Sequence, residues 1–328
     1  MKVVLVLEKC FCMFKDSFCE AFEELDIPVV VFPADNSREY GEQRKKLMQR
    51  ISSEHIDILL ILNHLNREHD FFINEEIVQN VSCYVWFVDS LETEKIQDPC
   101  LNKYTKIFSF EPKDIPYAKK AYHLDIQYLP LTAGKSIFCS KMQQPTERAY
   151  DISFVGLAAG SEKRLRILNA AAEYCLTHHR TMAVYGHYWH NSHFFQRMIG
   201  SLRFKAKYPK LWPFIVNERV SPEKCAEIYR TSKINLNIHV PYHTGFNCRT
   251  FEILGNGNFE LSDRQNTELI PFESGKHLVF YHTIEDLLEK IDYYLTHDEE
   301  REAIAHRGGV FVNERYSFTN SLRVIFGK

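Results

Sequence analysis

SKINLNIHVPYHTGFNCRTFEILGNGNFELSD, residues 232–263, reads as a buried strand, a loop, a helix and a second strand. The first strand ends near His239, the loop holds Gly245 and Asn247, and Arg249 and Glu252 stand three apart on the first turn of the helix. Helix N-terminal amides and a guanidinium favour phosphate oxygens, while a carboxylate accepts both hydroxyls of a ribose, so this stretch suits a nucleoside diphosphate bound in parts. An ion pair decorating a helix end is the competing reading, because such pairs are common and weak.

Outward from this stretch the same rhythm recurs. Upstream lie ISFVG, a helix over 162–177, TMAVYG, a long polar and aromatic insert, and a helix over 222–231 capped by Ser221 with Pro222 at its first position. Downstream lie LVFY and helices over 284–295 and 298–312. The first half alternates KVVLVLE, IPVVVF, IDILLIL, CYVWFV and the strands 106–110 and 126–129 with amphipathic stretches over 16–25 and 38–53. Unbroken apolar runs fit parallel strands buried on both faces. The fold class is therefore α/β, with two Rossmann-like domains whose parallel sheets face a central cleft. The expected division is a domain over 1–135, a linker over 136–150 rich in polar residues, and a domain over 151–328 whose last helix can pack back on the first.

The formal net charge of −3 disfavours a protein that relies on many phosphate contacts to nucleic acid. The apolar run that starts at Val3 is broken by Glu8 and Lys9, which is too short for a signal peptide core or a membrane span. Nine cysteines without a CxxC pair suggest neither a disulfide framework nor a zinc ribbon, so the cytoplasm is the expected compartment and most of the thiols are expected in the core. No GxGxxG or GxxxxGK[ST] follows a strand, which argues against a dehydrogenase and a P-loop enzyme.

From Ser232 to about Ser317 the pieces NLNIH, GFNCRTFEILGNG, SDRQNTELIPF, GKHLVFY, DLLEKIDYYL and REAIAHRG follow in order. On these pieces the chain resembles the spore-maturation-protein CgeB family of group 1-like glycosyltransferases, and more loosely in its front half through VWFVDS, KIFSF and LPL. The resemblance implies a GT-B fold and transfer of a sugar from a nucleotide diphosphate donor. It makes Glu252 the carboxylate that binds the donor ribose and sets Arg249 with Asn247 in the run G-x-N-x-R-x-F-E beside the diphosphate, with Phe251 packed inward. Two positions depart from the pattern. Gly245 stands where a first acidic residue would be, seven before Glu252, and His277 stands where a Glu is expected.

Other candidates complete the expected site. Gly156 ends a strand and lets backbone approach a phosphate, and Arg164 on the next helix can neutralise a leaving diphosphate, against the plainer reading of a glycine turn and a surface arginine. The resemblance adds weight to Arg164 and puts backbone near Arg219 and Val220 at the edge of the base, with His239 in the same donor-binding set. Asp89, after CYVWFV, is the first candidate for a base on the acceptor side, with Glu8 and His64 as competitors. His187, His190 and His193 lie in a loop without nearby Cys or an HExxH pattern, and a polar cleft wall is preferred there to a metal. In 202–215, Arg203, Lys205, Lys207 and Lys210 interleave with Phe204, Tyr208, Trp212 and Phe214, either as a contact with the inner face of a membrane or as a basic loop packing its aromatics on the domain.

The reading is a glycosyltransferase that needs no metal or other cofactor, takes a nucleotide sugar as donor and serves a glycan, lipid-linked or protein acceptor. A non-catalytic nucleotide-sugar-binding protein and a nucleotide-sugar epimerase of the same fold stay open beside it.

Overall fold

Each half of the sequence builds a six-stranded parallel sheet. The computed structural model describes residues 1–67, 70–91, 99–139, 147–157, 161–189 and 193–328. By packing they form two units, Met1–Gly134 with Tyr242–Phe246 and Tyr316–Lys328, and Lys135–Pro241 with Asn247–Arg315.

The first unit runs β1 (Val3–Glu8), α1 (Lys15–Glu24), β2 (Val29–Ala34), α2 (Tyr40–Glu54), β3 (Ile58–Leu62), the short strands β4 (Asn66–Arg67) and β5 (Asp70–Phe71), α3 (Glu75–Asn80), β6 (Ser82–Phe87), β7 (Lys106–Ser109), α4 (Asp114–Tyr122) and β8 (Gln127–Tyr128). Its sheet order is β2-β1-β3-β6-β7-β8, with Val3 opposite Val29 on one side and Ile58 on the other. Alternate side chains feed two cores. Val4, Val6, Leu59, Ile61 and Val85 meet Leu47 and Ile51 of α2. Val3, Leu5, Leu7 and Leu60 meet Phe18 and Phe22 of α1, together with Phe318, Leu322 and Ile325 of the carboxy-terminal helix Phe318–Phe326. The rings of Phe18 and Phe318 lie 4.5 Å apart between centroids.

The second unit runs β9 (Tyr150–Val155), α5 (Glu162–Thr177), β10 (Met182–Tyr185), α6 (Phe194–Lys207), β11 (Ile215–Val216), α7 (Pro222–Arg230), β12 (Ser232–Asn237), α8 (Cys248–Gly255), β13 (Glu260–Asp263), β14 (Val279–Tyr281), α9 (Ile284–Thr296) and α10 (Asp298–Arg315). The order β11-β10-β9-β12-β13-β14 reverses direction between β9 and β12, and the order of the first unit reverses between β1 and β3. In doubly wound sheets ligands bind outside the carboxyl ends of strands at such a reversal. Helix starts are fixed by side-chain caps: Ser161 for α5, Ser221 for α7, Asn247 for α8 and Thr283 for α9 each accept a backbone N–H three residues on.

Two sequence expectations are corrected here. The polar and aromatic insert after β10 contains the helix α6, which buries no residue and so lacks the inward apolar face by which a surface helix is read. Of the described cysteines Cys83 and Cys175 are buried, but Cys10 and Cys12 are exposed, because they lie on the turn Lys9–Phe14 that leaves β1 at its open end. Among the described residues no helix is long and apolar enough to cross a membrane.

Candidate functional site

At the β9–β12 reversal Gly156 follows the end of β9, His239 follows β12, which ends at Asn237, and α8 begins at Cys248. Gly156 and Arg249 meet there. A Cβ on Gly156 would stand 2.3 Å from Arg249 Nη2, so the glycine leaves the space the guanidinium fills. Arg249 lies over the Phe154 ring, 5.1 Å from its centroid, and its Nη1 donates to Asn237 Oδ1 at 2.9 Å. Arg164, on the first turn of α5, is held by backbone: Nε donates to the Ile238 carbonyl at 2.7 Å and Nη1 to the Leu157 carbonyl at 2.6 Å. Two oriented guanidiniums and the N-terminus of α8 make this end of the sheet a place for anionic oxygens.

Beneath the arginine lies a polar network that the sequence reading missed. Asn237 Nδ2 donates to Glu260 Oε1 at 2.9 Å, and Thr250 Oγ1 donates to the same oxygen at 3.0 Å. Asn247 caps α8 through its Oδ1 and donates from Nδ2 to Asn237 Oδ1 at 3.0 Å. Its side chain, expected beside the diphosphate, thus serves the helix start and Asn237. The available signal for Glu260 was a glutamate set between Phe259 and Leu261 in a strand expected inside the sheet, since a buried acid needs a partner.

His239, expected in the donor-binding set, is almost fully buried. Its Nδ1 bonds Asp263 Oδ1 at 2.8 Å and its Nε2 accepts the Asn247 backbone N–H at 3.4 Å, so both ring nitrogens are turned to the protein. Burial lowers the imidazole pKa despite the Asp263 carboxylate, which favours the neutral ring. Burial would raise the Asp263 pKa, but hydrogen bonds from His239 and Lys163 outweigh it and hold the carboxyl below its ordinary range.

Glu252 sits on α8 in reach of the Tyr229 hydroxyl, which donates to Oε2 at 3.4 Å. Burial raises its pKa, opposed by Arg249 and by hydrogen bonds from Cys248 and Tyr229. Phe251 packs fully inward, as expected. Arg219, exposed, and Val220, half-buried, lie in the loop after β11, and among the described residues no hydrogen bond ties either to Arg164, Arg249 or Glu252. Tyr188, which no motif marked, donates to the Gly156 carbonyl at 3.4 Å and feels the charge of both Arg164 and Arg249.

The first unit carries a second polar site. Glu8, Asn63, His64 and Asp89 line one pocket of about 260 Å³ at the carboxyl ends of β1, β3 and β6, so the three acid–base candidates share a wall. Asn63, at φ 57°, donates to Asp89 Oδ2 at 2.7 Å and accepts the Val88 N–H at 2.7 Å. His64 Nδ1 lies 2.9 Å from the Tyr104 hydroxyl.

The departure at Gly245 has a steric cause. A Cβ there would stand 2.7 Å from the Phe110 carbonyl oxygen, so no acidic side chain fits without moving backbone. Next to it the buried carboxylate of Glu111 accepts the Thr244 N–H and a bond from His243 Nδ1, both at 3.0 Å. Burial would raise the Glu111 pKa, yet His243 and Thr244 bring it below the ordinary carboxylate range. His277, the other departure, stacks on Phe311 at 4.3 Å between centroids and accepts the Glu273 N–H through Nδ1.

Among the described residues no three His, Cys, Asp or Glu side chains stand together as a metal site; His190 lies outside them. In 202–215 the aromatics turn inward: Phe204, Tyr208 and Phe214 pack on the core of the second unit, and Trp212 donates to Ser201 Oγ at 3.0 Å.

Residues 164–326 match the family described as glycosyl transferase-like. The chain is 24% identical over 246 residues to spore protein CgeB of Bacillus subtilis (strain 168), covering 69% of this chain and 68% of that one. Among solved structures it is similar to a glycosyltransferase from Rickettsia africae ESF-5, at 13% identity and TM-score 0.64 over 99% of this chain and 97% of that one. It is similar to the sucrose-phosphate synthase of Thermosynechococcus elongatus, at 10% identity and TM-score 0.67 over 99% of this chain and 98% of the other. It also resembles Anabaena HepE in complex with UDP and glucose, at 11% identity and TM-score 0.63 over 100% and 98% of the two chains. At these identities the structural likeness is one of fold.

Proposed function

We propose, for a chain that belongs to the CgeB-like glycosyltransferases and has the two-domain GT-B fold, that the β9–β12 site takes a nucleoside diphosphate sugar as donor and passes its sugar to a glycan, lipid-linked or protein acceptor. The observation that carries this reading is the meeting of Gly156 and Arg249, with Arg164 beside them, at the sheet reversal of the second unit. HepE of Anabaena and MnaA of S. aureus, two relatives in fold, were solved with UDP, which makes UDP the first nucleotide to try.

In this reading Arg249 and Arg164, with the amides of α8, bind the diphosphate and stabilise the charge that grows on it as the glycosidic bond breaks. That positive charge comes from the protein, so the transfer needs no divalent ion. Glu252 accepts the ribose hydroxyls, for which its carboxylate must be ionised, and Arg249 favours that form. Backbone at Arg219 and Val220 edges the base. Asp89 takes the proton of the acceptor hydroxyl, and Asn63 orients it.

Calorimetry with UDP, GDP and their common sugar conjugates, with and without EDTA, on the wild type and Glu252→Ala, tests the donor site. The expected result is selective binding of one conjugate, indifferent to EDTA, and weakened about tenfold or more in the variant, the scale of one lost charge-assisted hydrogen bond. Binding of no nucleotide would end the donor reading. Turnover of the bound sugar to an epimer without acceptor would make the protein an isomerase instead.

A further inference from the structure

Helix α6 (Phe194–Lys207) lies on the second unit by one narrow side. A Cβ on Gly200 would stand 2.8 Å from Trp189 Cβ, and Phe204 packs on Tyr188 and Trp189 at 5.7 and 5.4 Å between ring centroids. The side turned away from this contact is apolar. Phe194 is 76% exposed, Phe195 71%, Met198 44%, Ile199 45% and Leu202 58%, and their spacing sets them on one stripe. Five of the fourteen large apolar side chains that stand exposed among the described residues are therefore on this helix, where clustering of that kind marks an interaction site.

The charge around the stripe identifies the partner. No Asp or Glu occurs from Tyr174 to Asn217, in a chain whose formal net charge is −3. Lys210 pairs with Glu173, so the charge around the stripe is that of Arg197, Arg203, Lys205 and Lys207 on α6 itself. Arg197 and Arg203 are exposed, and among the described residues they form no ion pair. Lys205 Nζ lies over the Trp212 ring, 4.5 Å from its centroid, a cation–π contact that holds the ammonium beside the stripe. A second copy of the chain, paired through the same face, would set these cations against each other. A bilayer with anionic headgroups offers both layers at once, negative charge outside and hydrocarbon beneath.

We infer that α6 docks the protein on an anionic membrane surface, with Phe194, Phe195, Met198, Ile199 and Leu202 seated at the headgroup–acyl boundary and Arg197, Arg203 and the nearby lysines on lipid phosphates. The inference does not rest on the donor reading, because vesicle binding needs no nucleotide. It also sets the membrane contact on the outward side of α6, from Phe194 to Leu202, and not on the aromatics of 202–215, which turn inward.

Co-sedimentation of the full chain with vesicles of phosphatidylglycerol and phosphatidylcholine, and with phosphatidylcholine alone, tests it at low and high salt. The protein is expected to pellet with the anionic vesicles and to be released by salt. Phe194→Ser with Phe195→Ser and Leu202→Ser should lower the partition about tenfold or more, as should Arg197→Glu with Arg203→Glu, at unchanged melting temperature because these side chains are exposed. Equal binding to neutral vesicles, wild-type binding by both variants, or no binding by the wild type would each overturn the inference. So would a concentration-dependent dimer without vesicle binding, lost in the serine variant, which would assign the stripe to a second copy.

Discussion

Glu260 is an acid buried at the start of β13, and hydrogen bonds from Asn237 and Thr250 reach one of its oxygens. Burial, opposed by those bonds, lifts its pKa from 4.5 to about 7. A carboxyl raised in the folded state favours folding while protonated: below pH 4.5 both states hold the proton, and between there and about pH 7 the unfolded chain releases it first. Stability should therefore fall across this window, by on the order of 3 kcal/mol from this group. Glu260→Gln keeps an oxygen for Asn237 and removes the titration, so the variant should gain on the wild type between urea melts at pH 5 and pH 8. A difference that stays flat would mean that Glu260 titrates as an ordinary carboxyl. The sequence pointed to Gly156, Arg164 and Arg249 because a strand end and a helix start are set by neighbouring residues. The partnership of Asn237 with Glu260 joins β12 to β13 across the sheet, and no local pattern marks it.

Helix α8 owes its start to Asn247, whose side chain accepts the Thr250 N–H and also bonds Asn237. Asn247→Ala should cost about 1–2 kcal/mol, the range for a lost cap, and should weaken nucleotide binding as Asn237 and hence Arg249 lose a constraint. Asn247→Ser restores the cap without the bond to Asn237, so its urea midpoint should recover while its nucleotide affinity stays low. An alanine variant as stable as the wild type would show that the cap carries no weight. Element types were legible wherever such punctuation was present: Ser221 with Pro222 set the start of α7, and unbroken apolar runs set β1 and β3. Helix α6 was not, because its apolar residues face outward and its inward side is made by a glycine and a ring, Gly200 and Phe204.

The order of strands in the two sheets makes each unit a complete layered α/β body, but the first unit's core is finished by residues from the far end of the chain. Phe318 lies against Phe18 and Trp86, Leu322 and Ile325 are fully buried in the same cluster, and Thr132 Oγ1 donates to the Tyr316 carbonyl at 2.7 Å. The sequence reading let the last helix pack back on the first domain without saying which face it covers; its apolar face, once folded, joins α1 on one side of β1 and β3. Phe318→Ala should therefore destabilise by about 3–5 kcal/mol, the range for emptying a large buried site, and the loss should be local. Hydrogen exchange checks this: amide protection should fall in β1, β3 and β6 and persist in β9 and β12. Equal loss in both sheets would show instead that the two units unfold as one, and the helix would then stabilise the whole molecule rather than the first sheet alone.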